Sequence, residues 1–495
     1  DWNDNHLLLY GLRFAHAQCY WLMAQFALAE EKFAQLLPFT ESAVERANVY
    51  RMLAEICICN SGYDQAVEHC LRGLNLLGVD VSAKPDRCQV DAEYRAVWDA
   101  IGSRSIEELI DLPLMTDPIG LAIVDLFQTL NTATMIIDRN LFFLGGCRIV
   151  ANSLQFGNCD CSCLGYAQFG STLPRLFGRY KEARAFAALS CDLAHKRGLD
   201  GYLARLQFLT GMISFWTDGL VSARQRLEVA AESAVRSADN AFAGFCYGHI
   251  FVNSFILGTP LLQLLEKGHE IGWLTQGNNV LSNTFGIFNR IAHRLSEEPL
   301  ASGSLLLSDD EYEAEVFQDN ILLAALYLVM MIQVYYLEGD FSRSLAMAKK
   351  AEPLLWAHIT FAGECEYWFY LALSMVANYE YVDAVEQKVY LAKLDEHLLQ
   401  LEQWAKDGPF NFSCKYYLVA AESARIRGLD AQALPLYEQA IAAAQSSGFV
   451  HIEALAFELA GKYCLSKQLT TAAVAYLKEA RGAYSRWNAT AKIRQ

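Results

Sequence analysis

Positive charge is scarce in this chain. Its 495 residues carry 40 Lys and Arg against 56 Asp and Glu, a formal net charge of −16. That balance excludes binding nucleic acid through its phosphates, which takes clustered Lys and Arg to release counterions. Charge of either sign is low, 19% of residues against 53% hydrophobic, which excludes extended disorder and leaves ample apolar surface for a continuous core. Catalytic signatures are missing too. Gly461-Lys462 has neither the upstream glycine nor the following hydroxyl of a G-x-x-x-x-G-K-[ST] phosphate loop. No nucleophile elbow, H-E-x-x-H pair or kinase catalytic loop occurs, so no catalytic, cofactor-binding or metal-binding residue is assigned. No apolar alternation is bracketed by two-residue hairpin turns, so no strand is expected.

What is present is a turn that recurs about every 40 residues, an apolar residue followed three later by a small one. It occurs at Phe26/Ala29, Tyr63/Ala66, Tyr180/Ala183, Leu220/Ala223, Phe341/Ser344, Tyr381/Ala384 and Leu469/Ala472. Tyr63 to Tyr180, and Leu220 to Phe341, each span about three periods, so the register survives where the local signal fades. Gly62 and Gly219 immediately precede the apolar residue, and Gly339 stands one place earlier, as expected where a helix ends in a left-handed residue. The small residue lets two helices approach to about 8 Å. The fold predicted is all-α, a right-handed superhelix of antiparallel helix pairs. The last third shows the unit most clearly: a helix from Phe412 ending at Gly428, then one capped by Asp430, with Pro435 near its first turn and Gly448 at its end.

The expected organisation is a repeat array over 1–295 with an irregular insert at 80–118, an acidic loop or hinge at 296–319, and a second array over 320–495. The insert carries Pro85, Pro113 and Pro118, with a short helix under a Ser105/Glu108 capping box. The hinge carries Pro299, Gly303 and Asp309-Asp310-Glu311. The apolar run Ile321 to Leu337 is nearly long enough to cross a bilayer, but Gln333 interrupts it and acids flank it without Lys or Arg anchors. It reads as the buried first helix of a repeat, and no membrane span is expected. The 14 Cys are scattered without small-domain spacing, which suits reduced thiols in a cytoplasmic protein. Asp1-Trp2 in place of an initiator Met suggests a segment of something longer.

Weaker constellations read as structural. Of Cys159, Cys161 and Cys163 only the first and last share a helix face, too few for a closed zinc site; Cys57 and Cys59 point two ways. Asp309, Asp310 and Glu313 are similar to the magnesium motif of all-helical prenyl-diphosphate enzymes, but the second motif and a basic cluster for the diphosphate are missing. His195, His249 and His451 fall within helical segments and read as structural. Aromatics such as Tyr367, Trp368 and Tyr370 belong to inter-repeat core or line a ligand groove, since a superhelical array presents a concave face.

Certain strings are recognisable. Ser105-Ile106-Glu107-Glu108-Leu109-Ile110-Asp111-Leu112-Pro113-Leu114-Met115-Thr116-Asp117-Pro118 resembles a signature of the helical, TPR-like middle region of very large signalling proteins. In that family a serine/threonine-kinase-like domain and a STAND-type predicted ATPase precede the repeats, and GAF and sensor histidine kinase modules follow. Gly339-Asp340-Phe341, Ala351-Glu352-Pro353-Leu354, Asn411-Phe412, the stretch from Gly448 to Glu458 and the ending from Ala483 to Lys492 are similar in the same order. Asn488 departs from the family's usual Gly after the Trp. The resemblance implies a non-catalytic scaffold or sensor segment of a two-component signal-transduction protein. It would couple an ATPase/kinase module to a histidine kinase output, with domains of the parent chain as partners and a peptide or small molecule in the concave groove. The alternative is a stand-alone TPR-like adaptor for protein–protein interaction. A magnesium-dependent α/α enzyme using Asp309, Asp310 and Glu313 is a distant third.

Overall fold

The computed structural model describes residues 5–275, 279–296, 308–317, 321–358 and 362–495. The described residues form 24 α-helices and short 3₁₀ turns with no strand; one isolated backbone bridge joins Leu114 and Asn158. Consecutive helices pack in pairs, among them Ala43–Cys59 with Tyr63–Leu76, Ser162–Phe177 with Tyr180–Arg197, and Val450–Ser466 with Thr470–Trp487.

One turn recurs at the joints. A residue with positive φ closes the first helix, and the next residue caps the second, as at Gln25 (φ −88°, ψ 63°) and Leu469 (φ −86°, ψ 62°). The capping residue's N–H first completes a Schellman loop onto the helix behind it: Gln25 donates to Tyr20 O (2.9 Å), Gly62 to Cys57 O (2.8 Å) and Leu469 to Cys464 O (2.8 Å). Its carbonyl then accepts the first bond of the helix ahead, from Ala29, Ala66, Ala183, Ser344, Ala433 or Ala473; Ala223 occupies the same place after Gly219. All seven are at most 1% exposed. The small side chain sits one turn into the second helix, where the pair is closest.

Several sequence expectations shift here. The left-handed position is Gly at Gly178, Gly339, Gly428 and Gly448, but Ala24, Ser61, Ala238, Gln468 and Asn488 elsewhere. Gly62 itself has φ −84°; Ser61 takes the left-handed place, because the turn needs that conformation one residue before the cap. Leu469 is the cap and Ala473, not Ala472, is the buried small residue. Likewise Leu429 caps the helix Asp430–Ser447, while the Asp430 carboxylate pairs with Lys467 at 2.7 Å. Tyr381 and Ala384 make no such joint. Tyr381 ends a 3₁₀ turn and is 81% exposed, and Asp383 caps the 24-residue helix Ala384–Asp407 by accepting from Val385 and Glu386.

The chain divides into two compact units, Asp1–Leu209 and Thr210–Gln495, so the units part inside the helix Leu203–Thr217 and not at 296–319. Within that acidic segment Asp309–Phe317 is helical, and 297–307 and 318–319 lie outside the described residues.

In the first unit the insert at 80–118 contains a 15-residue helix, Arg87–Ile101, started by a reciprocal box between Asp86 and Gln89. Ser105 and Glu108 bond each other's backbone N–H (3.4 and 2.8 Å) and introduce a 3₁₀ turn, Glu107–Asp111. Asn158 ties down the next segment: its N–H donates to Pro113 O (2.7 Å), its carbonyl accepts from Met115 (2.9 Å) and its side chain donates to Leu109 O (2.8 Å). Gly157 (φ +102°) allows this approach, since a Cβ there would lie 2.2 Å from Pro113 O.

In the second unit the helices Ile321–Glu338, Gly363–Asn378, Pro409–Ile426 and Val450–Ser466 form an inner row. Leu323 to Leu337 are all buried, as are His451 to Gly461, so these two helices are enclosed on every side. The first is the one described helix long and apolar enough to cross a membrane, and 83% of it lies inside the fold. Contacts between residues distant in sequence cross this unit. Asn411 accepts from Leu220 N–H (3.0 Å) and donates to Phe215 O (2.6 Å), the Trp216 and Trp404 rings lie 6.0 Å apart, and Thr490 donates to Ser296 O. Tyr367 and Tyr370 are core residues of the inner row.

Candidate functional site

Charged residues enter the second unit on helices that are otherwise apolar. Glu422 and Arg425 stand three apart on Pro409–Ile426, and Glu458 and Lys462 four apart on Val450–Ser466, so each pair shares a helix face. Lys492 arrives from the short helix Thr490–Arg494, and Tyr336 from the end of Ile321–Glu338. These six line a cavity of about 290 Å³.

The bonding there is dense. Glu422 accepts from Arg425 (2.7 Å) and from the Tyr437 hydroxyl; Glu458 accepts from Lys462 (2.5 Å), Lys492 (3.1 Å) and Tyr484 (2.7 Å). Lys492 also donates to Leu337 O at 2.8 Å. Burial works to raise the Glu458 carboxyl, but Lys492, Lys462 and Tyr484 outweigh it and hold it below the usual range. Burial lowers Lys492, opposed by Glu458. The Tyr336 phenol is pushed well up, by burial and then by Glu422 and Glu458. Glu458 is therefore held ionised, and both carboxylates are fully engaged by hydrogen bonds. Among the described residues, no partner stands on Arg425 Nη1 or the Tyr336 hydroxyl, and Lys462 makes a single bond.

A second buried group lies in the same unit. Glu366 and Lys415 form an ion pair 1% and 3% exposed, with the ammonium 5.3 Å from the Phe449 ring and 5.9 Å from Phe369. Burial raises Glu366, opposed by Lys415. His451 is buried with neither ring nitrogen hydrogen-bonded to a described residue, and burial, then Lys415, lowers it to about 3. Gly258 (φ +75°) makes room for it, since a Cβ there would lie 2.4 Å from Nδ1.

The other candidates are dispersed. Asp309 bonds Arg290 (2.6 Å), Arg294 (2.7 Å) and Tyr335 (2.5 Å), and Glu313 pairs with Lys350 (2.6 Å), while Asp310 is exposed. The three carboxylates do not converge, and the two arginines, with Tyr335, hold Asp309 down to about 2 against its burial. Cys159, Cys161 and Cys163 are buried and bond separately, to Ser162, Asp125 and the Asp160 carbonyl. Burial raises all three thiols. No cysteine is in a disulfide, and no group of three His, Cys, Asp or Glu among the described residues is placed to hold a metal. His195 is exposed in the last turn of its helix, and the His249 ring lies 4.7 Å from that of Phe245. In the first unit a shallow hollow of about 670 Å³ carries exposed ion pairs such as Arg72–Glu68.

The cavity residues were not singled out from the sequence. The available signal is an acid or base within a strongly apolar helix, as Glu366, Lys415, Glu422 and Glu458 are. No protein-family model matches the chain, and no curated protein matches it.

Proposed function

We propose that this chain is a helical-repeat scaffold that binds a partner or small ligand and takes no part in chemistry itself. One observation carries the reading. The same joint links helix pair after helix pair, while the polar groups brought together in the interior are ion pairs already closed on one another, not an acid, base and nucleophile converging on free space. A right-handed superhelical course for the pairs belongs to the proposal, as does a cytoplasmic setting, which the free thiols suit.

The proposal extends to a place within a longer signal-transduction protein, between an ATPase/kinase module and a histidine kinase output. That half rests on the strings at 105–118, 448–458 and 483–492. Stacked pairs suit such coupling, because small changes per pair add along the stack. The test is to replace residues 1–495 in the parent protein by a linker of equal span. Loss of regulated output is expected, and an unchanged output sinks the coupling.

A further inference from the structure

The occupant of this cavity is narrowed by the hydrogen-bonding groups its lining leaves over, on the reading that the chain is a binding scaffold. Glu422 and Glu458 are saturated by Tyr437, Arg425, Tyr484, Lys462 and Lys492. A cationic ligand would have to displace one of these cations from its carboxylate. An apolar ligand would bury the remaining donors unmet, at a cost. Among the described residues, what the lining leaves unserved is donors: Arg425 Nη1, the Tyr336 hydroxyl and the remaining Lys462 protons. Three cations against two carboxylates leave one positive charge in excess. Arg425 and Lys462 are also held in place by their own acids, so little side-chain freedom is lost when a ligand arrives. The volume of about 290 Å³ suits a small molecule.

We infer that this cavity binds a small molecule through an oxyanion, a carboxylate or a phosphate, received by Arg425, Lys462 and the Tyr336 hydroxyl. A planar guanidinium and an ammonium on adjacent helices give charge-assisted bonds to such a group.

The test is calorimetric titration of the 495-residue chain in separate arms with inorganic phosphate and with succinate, which distinguishes the two oxyanion sources. Lys462→Met removes an exposed donor and leaves Glu458 with Lys492 and Tyr484; Tyr336→Phe removes one hydroxyl at constant shape. Binding of at least one probe is expected, weakened about tenfold by Lys462→Met and several-fold by Tyr336→Phe in variants with unchanged circular dichroism. No binding of either probe at about 10 mM, a range weaker than usual cofactor affinities, overturns the assignment. So does equal affinity in both variants, or competition by methylammonium. Such a failure leaves the scaffold reading standing, since that reading falls on the linker replacement instead.

Discussion

Ala24, Ser61, Ala238, Gln468 and Asn488 hold left-handed backbone, with φ from 55° to 64°, where an L-residue other than Gly or Asn is disfavoured by about 1–2 kcal/mol. Gly428 occupies the same place at φ 69°, and a Cβ there would meet nothing within 4 Å. Gly428→Ala is therefore expected to lower stability by about 1 kcal/mol through backbone strain alone. Gln468→Gly is expected to raise it by a smaller amount, because the glycine is more flexible when unfolded. Urea denaturation of both variants checks the pair. Glycine before an apolar residue was a legible turn signal, but only at some joints. Where Ser61 or Gln468 replaces glycine, geometry is imposed by the two packed helices and leaves no mark in residue type. Asn488 is the intelligible case, since its short polar side chain tolerates this region.

His451 offers a second test at the same scale. Its folded pKa is about 3 against 6.5 for the free side chain, so the unfolded chain takes up a proton that the folded one refuses. Its stabilising effect is complete above 6.5 and is lost as pH falls toward 3. Between about pH 7.5 and 5 the loss should be about 2 kcal/mol. Urea midpoints at both pH values, in the parent and in His451→Leu, would show it: the pH slope should shrink in the variant, and an equal slope would remove His451 from the account.

At the scale of elements, the second helix at each of the seven joints described is fixed by one small side chain, four residues beyond the cap. Ala473→Leu and Ala183→Leu should each cost about 1–3 kcal/mol by overpacking, whereas Ala472→Leu, at a partly exposed position, should cost little. Thermal melts of the three variants read the register directly. Sequence periodicity located these helices well where an aromatic residue opens them, as at Phe26, Tyr63, Tyr180 and Phe341. It slipped by one at Leu469, because leucine serves equally as cap or first helical residue. It also missed the helix Arg87–Ile101, whose start lies in the Asp86/Gln89 box and not in the spacing of apolar residues, and it took Tyr381 for a joint where Asp383 caps a long helix through its side chain.

For the whole molecule, the second unit is held by contacts between residues nearly two hundred apart in sequence. Asn411 is 3% exposed and bonds the backbone at both Phe215 and Leu220. Asn411→Ala would leave a buried N–H and C=O without partners, and a loss of about 2–4 kcal/mol is expected. Hydrogen exchange should show the Phe215–Leu220 amides opening faster while those of Thr470–Trp487 keep their protection; uniform protection throughout would show that this joint carries no weight. These distant pairings were not legible, since spacing along the chain reports neighbouring pairs and says nothing of which distant pairs meet. The interior charges were visible as anomalies, Lys415 and Glu458 in apolar surroundings, yet the Glu366 partner of Lys415 and the Tyr484 and Lys492 partners of Glu458 come from other helices, which spacing along one helix does not show.

The joint itself has a consequence for how this protein changes length. One residue finishes the loop of the helix behind it and begins the ladder of the helix ahead, as Gln25, Gly62 and Leu469 do. No slack remains there: a single inserted residue would rotate everything after it by about 100°. Variation among relatives should accordingly arrive as whole hairpins gained or lost, or fall outside these joints.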